Sequence, residues 1–146
     1  MDQLIGEFKN AHHLVTGKVL GTLLAHAWTS DPREPRPCTT VPAPLPTHRL
    51  RKRGYNQATE IADVLGDHCH LPVDNRLCRK LHETTDQKTL DAHSRMQNLK
   101  GVYQLDHPIP DIHIGLVDDV MTTGTTAHEL TRLLLHGGAA SVQVIV

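Results

Sequence analysis

At 146 residues, with 38% hydrophobic and 21% charged side chains, the chain suits one globular domain with a core of its own. Aromatic residues make up 3% and the net charge is −1, which argues against a stacking platform for single-stranded nucleic acid and against general attraction to DNA or anionic membranes. No apolar run approaches the about 20 residues of a membrane helix, and three cysteines with neither CxxC spacing nor a signal sequence predict reduced thiols in a cytoplasmic protein.

In chain order, Leu4 to Trp28 carries a helical pattern, with Leu14, Val15, Val19, Leu20, Leu23, Leu24 and Ala27 at three- and four-residue steps, and predicts a helix packed on a sheet. Three prolines between Ser30 and Pro37 mark a connection. Cys38 to Ala43 reads as a short strand, closed by Pro44 and Pro46. Asn56 to His68 is helical, with Ala58, Ile61, Ala62 and Leu65 on one side. Pro72 opens an extended piece through Arg79. Lys80 to Lys100 is polar and predicts a long loop with a short helix near its end, and such loops are often functional. Val102 to Leu105 reads as an edge strand.

Ile112 to Val117 is the clearest strand and Thr125 to His136 the clearest helix, with Ala127, Leu130, Leu133 and Leu134 inward and Gly137 and Gly138 placed to stop it. Ser141 to Val146 restarts a strand. Strands alternating with helices predict an α/β fold, a parallel β-sheet flanked by helices, whose ligands sit beyond the carboxyl ends of the strands. His68-Cys69-His70 lacks a second ligand pair and reads as an ordinary helix end rather than a metal site.

The stretch 114–126, IGLVDDVMTTGTT, carries the chemistry. Thr122, Thr123, Gly124, Thr125 and Thr126 enter a helix amino terminus, where free N–H groups and the positive dipole end favour an anion. Gly124 permits close approach, and the threonine hydroxyls add donors without charge. Asp118 and Asp119 supply acceptors for sugar hydroxyls or for water around magnesium. A phosphorylated ribose fits both. The bland alternative is a polar strand end followed by a threonine-capped helix.

The segment Val117 to Thr126 resembles the phosphoribosyl-pyrophosphate (PRPP) motif of type I phosphoribosyltransferases. More narrowly, the chain resembles the ComF family (competence protein F, or GntX-like proteins). The segments that carry this are VPAPLP at 41–46, RLRKRGYNQA at 49–58, Arg79, Thr84 or Thr85, Gln87, and SRMQNLKGVY at 94–103, together covering most of 41–146. The helical start with Phe8-Lys9 also fits. The RGYNQA block is specific to ComF-like proteins, whereas the PRPP motif alone gives the superfamily.

The resemblance implies one phosphoribosyltransferase-like domain over 1–146, with a helical lead-in and connection at 1–37 and the core at 38–146. Many members carry an amino-terminal cysteine zinc ribbon, without counterpart here, and relatives run beyond the position of Val146; a short member or a truncated chain is expected. The resemblance also implies that Asp118 and Asp119 face the ribose hydroxyls with magnesium nearby, and that Thr122 to Thr126 hold the 5′-phosphate. The pyrophosphate loop would be Pro42, Ala43 and Pro44 through Pro46, with Arg49, Arg51, Lys52 and Arg53 adding positive charge; read from composition alone, those cations are a solvated basic turn. Arg79 to Arg95 would correspond to a mobile loop over PRPP, with Arg79, Lys80, Gln87, Lys88 and Arg95 as donors.

In the superfamily, a nitrogen nucleophile displaces pyrophosphate from the ribose, and catalysis is positioning and electrostatics. Oxopurine-specific members place an aspartate where this chain has Thr122, so hypoxanthine or guanine salvage is not the expected role. Three functions remain open: a magnesium-dependent PRPP enzyme with an unidentified nitrogen acceptor in nucleoside metabolism, a PRPP-binding accessory protein of DNA uptake with little turnover, and a direct single-stranded DNA binder. Family membership would link the chain to natural competence, and the composition disfavours the DNA binder.

Overall fold

The computed structural model describes residues 14–30, 32, 35–81 and 101–146, and only the backbone at 14–16. The elements are α1 (Leu14–Thr29), β1 (Thr39–Pro42), α2 (Thr47–Arg53), α3 (Gln57–Cys69), β2 (Cys78–Lys80), β3 (Tyr103–Leu105), β4 (His113–Val117), α4 (Thr125–His136) and β5 (Ser141–Ile145).

β1, β4 and β5 form a parallel sheet in the order β1-β4-β5, so the fold is α/β as expected. Register pairs Val41 with Leu116 and Leu116 with Val144. Because side chains alternate along a strand, the sheet feeds two cores. Ile114 and Leu116, joined by Val41 and the partly buried Val142 and Val144, pack with Leu130 and Leu134 of α4. Val117 and Ile145 pack with Ile61 and Leu65 of α3 and with Ala25 and Trp28 of α1. Each fully buried Leu or Ile in these layers stabilises the fold by about 1.5–3 kcal/mol.

The first helix departs from expectation. It packs mainly on α3 rather than on the sheet. The cause is its line of small residues: Gly17, Gly21 and Ala25 are buried, and a Cβ at Gly21 would stand 2.7 Å from Val64 Cβ. Backbones this close fill the interface themselves, which turns Val19 and Leu23 outward at 48% and 57% exposure. The periodicity identified the helix and misassigned the buried face.

Three further differences have local causes. The basic run, which composition alone reads as a solvated turn, forms the short helix α2, which buries none of its residues and ends at Gly54 in the left-handed region (φ 83°). Arg51, Lys52 and Arg53 occupy its last turn, where cations complement the negative dipole end. The extended piece from Pro72 is broken by a turn in which Asp74 Oδ1 accepts from the N–H groups of Arg76 (3.1 Å) and Leu77 (3.0 Å). Arg79 lies in β2, at the end of the extended piece as expected, but Lys80, expected to begin the long loop, belongs to β2 as well, and β2 pairs antiparallel with β3 as a separate ribbon. The expectations for Phe8-Lys9, Thr84 or Thr85, Gln87, Lys88 and Arg95, and for a short helix before Lys100, fall outside the described residues. Among the described residues no helix is long and apolar enough to cross a membrane.

Candidate functional site

The carboxyl ends of the three parallel strands are tied together by backbone hydrogen bonds. Ala43 N–H donates to Val117 O (2.8 Å), and Asp118 N–H donates to Ile145 O (3.0 Å). The proline-rich loop leaving β1 and the carboxylate pair leaving β4 therefore start side by side. This is where an open parallel sheet takes its ligands.

Asp118 and Asp119 are half-buried. Asp118 Oδ1 accepts the Asp119 N–H at 2.9 Å, which sets the first turn of the loop. Thr123 and Thr125 share a hydroxyl–hydroxyl hydrogen bond of 2.6 Å. Gly124 is the N-cap of α4, with φ 71° in the left-handed region, and no side chain caps this helix. The threonine cap of the bland alternative is therefore absent. The first-turn N–H groups of α4 receive no side-chain cap acceptor, and such orphan donors with the dipole behind them favour an anion.

On the β1 side, Asn56 is the N-cap of α3, its side chain accepting from Ala58 N–H at 3.2 Å. Its Nδ2 donates to Ala43 O at 2.9 Å. Asn56 thus pins the loop of Pro42, Ala43 and Pro44 to the following helix, and α2 projects between them with Arg51 and Lys52 exposed and Arg49 and Arg53 half-buried. The RGYNQA segment is the joint between these pieces: Gly54 closes α2, Asn56 opens α3, and Gln57 is 1% exposed at the first position of α3.

Tyr103, in the SRMQNLKGVY segment, has no role assignable from the sequence alone. It is buried in β3 and makes a side-chain hydrogen bond with Thr126 of the candidate phosphate loop. Burial pushes its phenol above the ordinary pKa; the Thr126 hydrogen bond pulls it down, and the charges of Asp118 and Glu129 push it further up. Lys80 Nζ lies 5.4 Å from the centroid of its ring. The β2–β3 ribbon, which brackets the polar stretch between Leu81 and Gly101, is therefore wired to the loop at the head of α4. Arg79, expected as a ligand donor, forms an ion pair of 2.8 Å with Asp106.

On the other side of the carboxylate pair, a half-open cavity of about 480 Å³ lies between α1 and the loop after β4. Leu20, Leu23, Leu24 and Ala27 wall it from α1, Met121 and Val146 from the strand ends, and Asp118 and Asp119 stand at its polar side. Periodicity hid this cavity, because α1 was expected to lay the same leucines on the sheet.

The residues fit magnesium of the substrate-bridging kind. Among the described residues no group of three or more His, Cys, Asp or Glu side chains forms a metal cage. Two adjacent carboxylates match an ion held through one or two acids, water and substrate oxygens.

No family model matches the chain. It is 38% identical over 108 residues to DNA utilization protein YhgH of Escherichia coli (strain K12), covering 74% of the chain and 48% of that protein. It is 33% identical over 147 residues to competence protein F of Haemophilus influenzae, covering 97% of the chain and 64% of the relative. Competence protein ComFC of Bacillus subtilis is 33% identical over 104 residues, covering 69% of the chain and 40% of that protein. The chain thus spans about two-fifths to two-thirds of the length of these curated relatives.

Proposed function

The chain belongs to the ComF family, and from that premise we propose that it binds PRPP with magnesium and transfers the phosphoribosyl group to a nitrogen acceptor. The names of its relatives, DNA utilization and competence proteins, support placing the protein in DNA utilization and competence.

The observation that carries the reading is the order of groups at the strand ends. A left-handed glycine opens α4 without a side-chain cap, two carboxylates precede it, and the β1 loop is bonded to the same strand end through Ala43 and Val117. Thr122 to Thr126 hold the 5′-phosphate, Asp118 and Asp119 the ribose diol, and Pro42 to Pro46 with Arg49, Arg51 and Arg53 the pyrophosphate. When bound, magnesium neutralises charge on the departing pyrophosphate. The chain's own residues fix the ribose at three points, and positioning of this kind is a large part of such catalysis. By the family resemblance, Gln87, Lys88 and Arg95 are further candidate donors to the ligand.

Thermal unfolding with and without PRPP and magnesium tests this. A ligand bound only by the native state stabilises it by roughly 2.7 kcal/mol at about 100 times its dissociation constant. A well-folded sample whose melt is unmoved by millimolar PRPP and magnesium overturns the reading. A binding protein without turnover shares the site, and the process-level names of the relatives favour keeping it as the second reading. Pyrophosphate release from PRPP across a panel of nitrogen acceptors separates the two.

A further inference from the structure

We infer that the cavity between α1 and the Asp118–Asp119 loop takes the nitrogen acceptor, and that this acceptor is a planar, weakly polar nitrogen heterocycle rather than a base rich in ring carbonyls; the inference rests on the PRPP reading above. The first ground is placement. The carboxylate pair has the uncapped head of α4 on one side in the chain and is itself among the residues that line the apolar cavity. A ribose held by its diol at Asp118 and Asp119, with its 5′-phosphate at Thr122 to Thr126, must direct its anomeric carbon away from the phosphate loop. β1 and β5 flank β4 on opposite sides, so the proposed pyrophosphate loop follows one neighbour of β4 while Val146, at the cavity, follows the other.

The second ground is what the cavity offers. At about 480 Å³ it lies within the range of small-ligand sites. Leu20, Leu23, Leu24, Ala27, Ile61 and Met121 give it an apolar surface, and its polar side chains, Asp118 and Asp119, are acceptors. Among the described residues lining it, no side chain carries a hydrogen-bond donor. A ring carbonyl entering there loses its water without a side-chain donor in return, which is costly. A ring with a bare apolar edge and one nucleophilic nitrogen loses nothing comparable. In the transfer step, the ring nitrogen lone pair forms the bond to the anomeric carbon while the carbon–oxygen bond breaks. The electron pair leaves on pyrophosphate, and the proton of a ring N–H passes to water.

The probe is benzimidazole, followed by the methyl resonance of Met121 in protein carrying methyl-labelled methionine, with hypoxanthine as the carbonyl-rich comparison. The expected result is a saturable shift of Met121 with benzimidazole and none with hypoxanthine. Ala27→Phe, which fills the cavity from an exposed helix position, and Leu23→Gln, at a side chain 57% exposed, should each weaken benzimidazole by about tenfold or more. Unchanged melting of both variants shows that the fold is retained. Calorimetry of the wild-type protein with PRPP and magnesium runs alongside. PRPP binding with an unmoved Met121 overturns the cavity assignment and leaves the PRPP reading standing. Movement of Met121 in a protein that does not bind PRPP overturns both the acceptor role and the reading beneath it. Equal shifts with hypoxanthine overturn the ligand class.

Discussion

The side-chain amide of Asn56 donates to the carbonyl of Ala43 at 2.9 Å while its oxygen accepts from the N–H of Ala58 at 3.2 Å. One residue therefore caps α3 and restrains the loop proposed to hold pyrophosphate. Asn56→Ala removes both bonds and should cost about 1 kcal/mol as a lost cap, with a further loss of about 1–3 kcal/mol because Ala43 O is left without that donor. Asn56→Asp separates the two roles: aspartate still caps the helix but sets an acceptor against the Ala43 carbonyl. The Asp variant should keep more stability than the Ala variant while binding PRPP more weakly than wild type. Urea melts and PRPP titration of both variants check this, and wild-type affinity in the Asp variant would disconnect Asn56 from the site.

Replacing both Asp118 and Asp119 with asparagine tests the ribose and magnesium role. An asparagine oxygen at 118 can still accept the N–H of residue 119, the 2.9 Å bond that shapes the loop. The apo fold should therefore melt at or above the wild-type temperature, since two adjacent like charges are relieved. PRPP binding in magnesium should be lost. A destabilised apo protein that retains affinity would make the pair structural.

Regular elements were legible in the sequence wherever local pattern and tertiary packing agree. α4 runs Thr125–His136, as its leucine spacing and the following glycines indicate, and β4 is a short apolar run buried on both faces. The carboxylate pair and threonine loop were legible because their chemistry lies in consecutive residues. Placement failed where one surface competes with another. The leucines of α1 carry helical periodicity, but Gly21 and Ala25 bring its backbone onto α3, and no single-helix pattern ranks small residues above large ones. The Tyr103–Thr126 bond joins residues far apart in the chain, so spacing could not reveal it; the alternation at Val102 to Leu105 indicated a strand and not its target.

Tyr103→Phe tests that bond. The phenol is buried and partnered with Thr126, so its removal leaves the ring packing in place and the Thr126 hydroxyl without this partner. A stability loss of about 0.5–1.5 kcal/mol is expected for the hydrogen bond. If Tyr103 also orients Thr126 for the phosphate, ribose 5-phosphate and PRPP should both weaken, and by the same factor. A stability loss with both affinities unchanged would confine Tyr103 to the fold.

The phosphate loop and the basic helix make separable predictions because the proposed function assigns them different ends of one ligand. At Gly124 space is not the constraint: a Cβ would meet Met121 Sδ at 3.6 Å, an ordinary contact. The constraint is φ 71°, which a β-branched residue strongly resists and asparagine tolerates. Gly124→Val should therefore abolish binding of PRPP and ribose 5-phosphate alike, since both present a 5′-phosphate to the head of α4. Gly124→Asn should preserve the loop conformation; if it too loses both ligands, the missing side chain at this position serves phosphate approach as well as backbone geometry. Arg51→Ala and Arg53→Ala lie on α2, which buries none of its residues, so neither should unfold the protein. Each should weaken PRPP through lost pyrophosphate contacts and leave ribose 5-phosphate nearly unchanged. Isothermal titration of both ligands against the four variants decides the matter. Equal losses for both ligands in the arginine variants remove those side chains from the pyrophosphate role, and unchanged ribose 5-phosphate binding in Gly124→Val removes the phosphate from the head of α4.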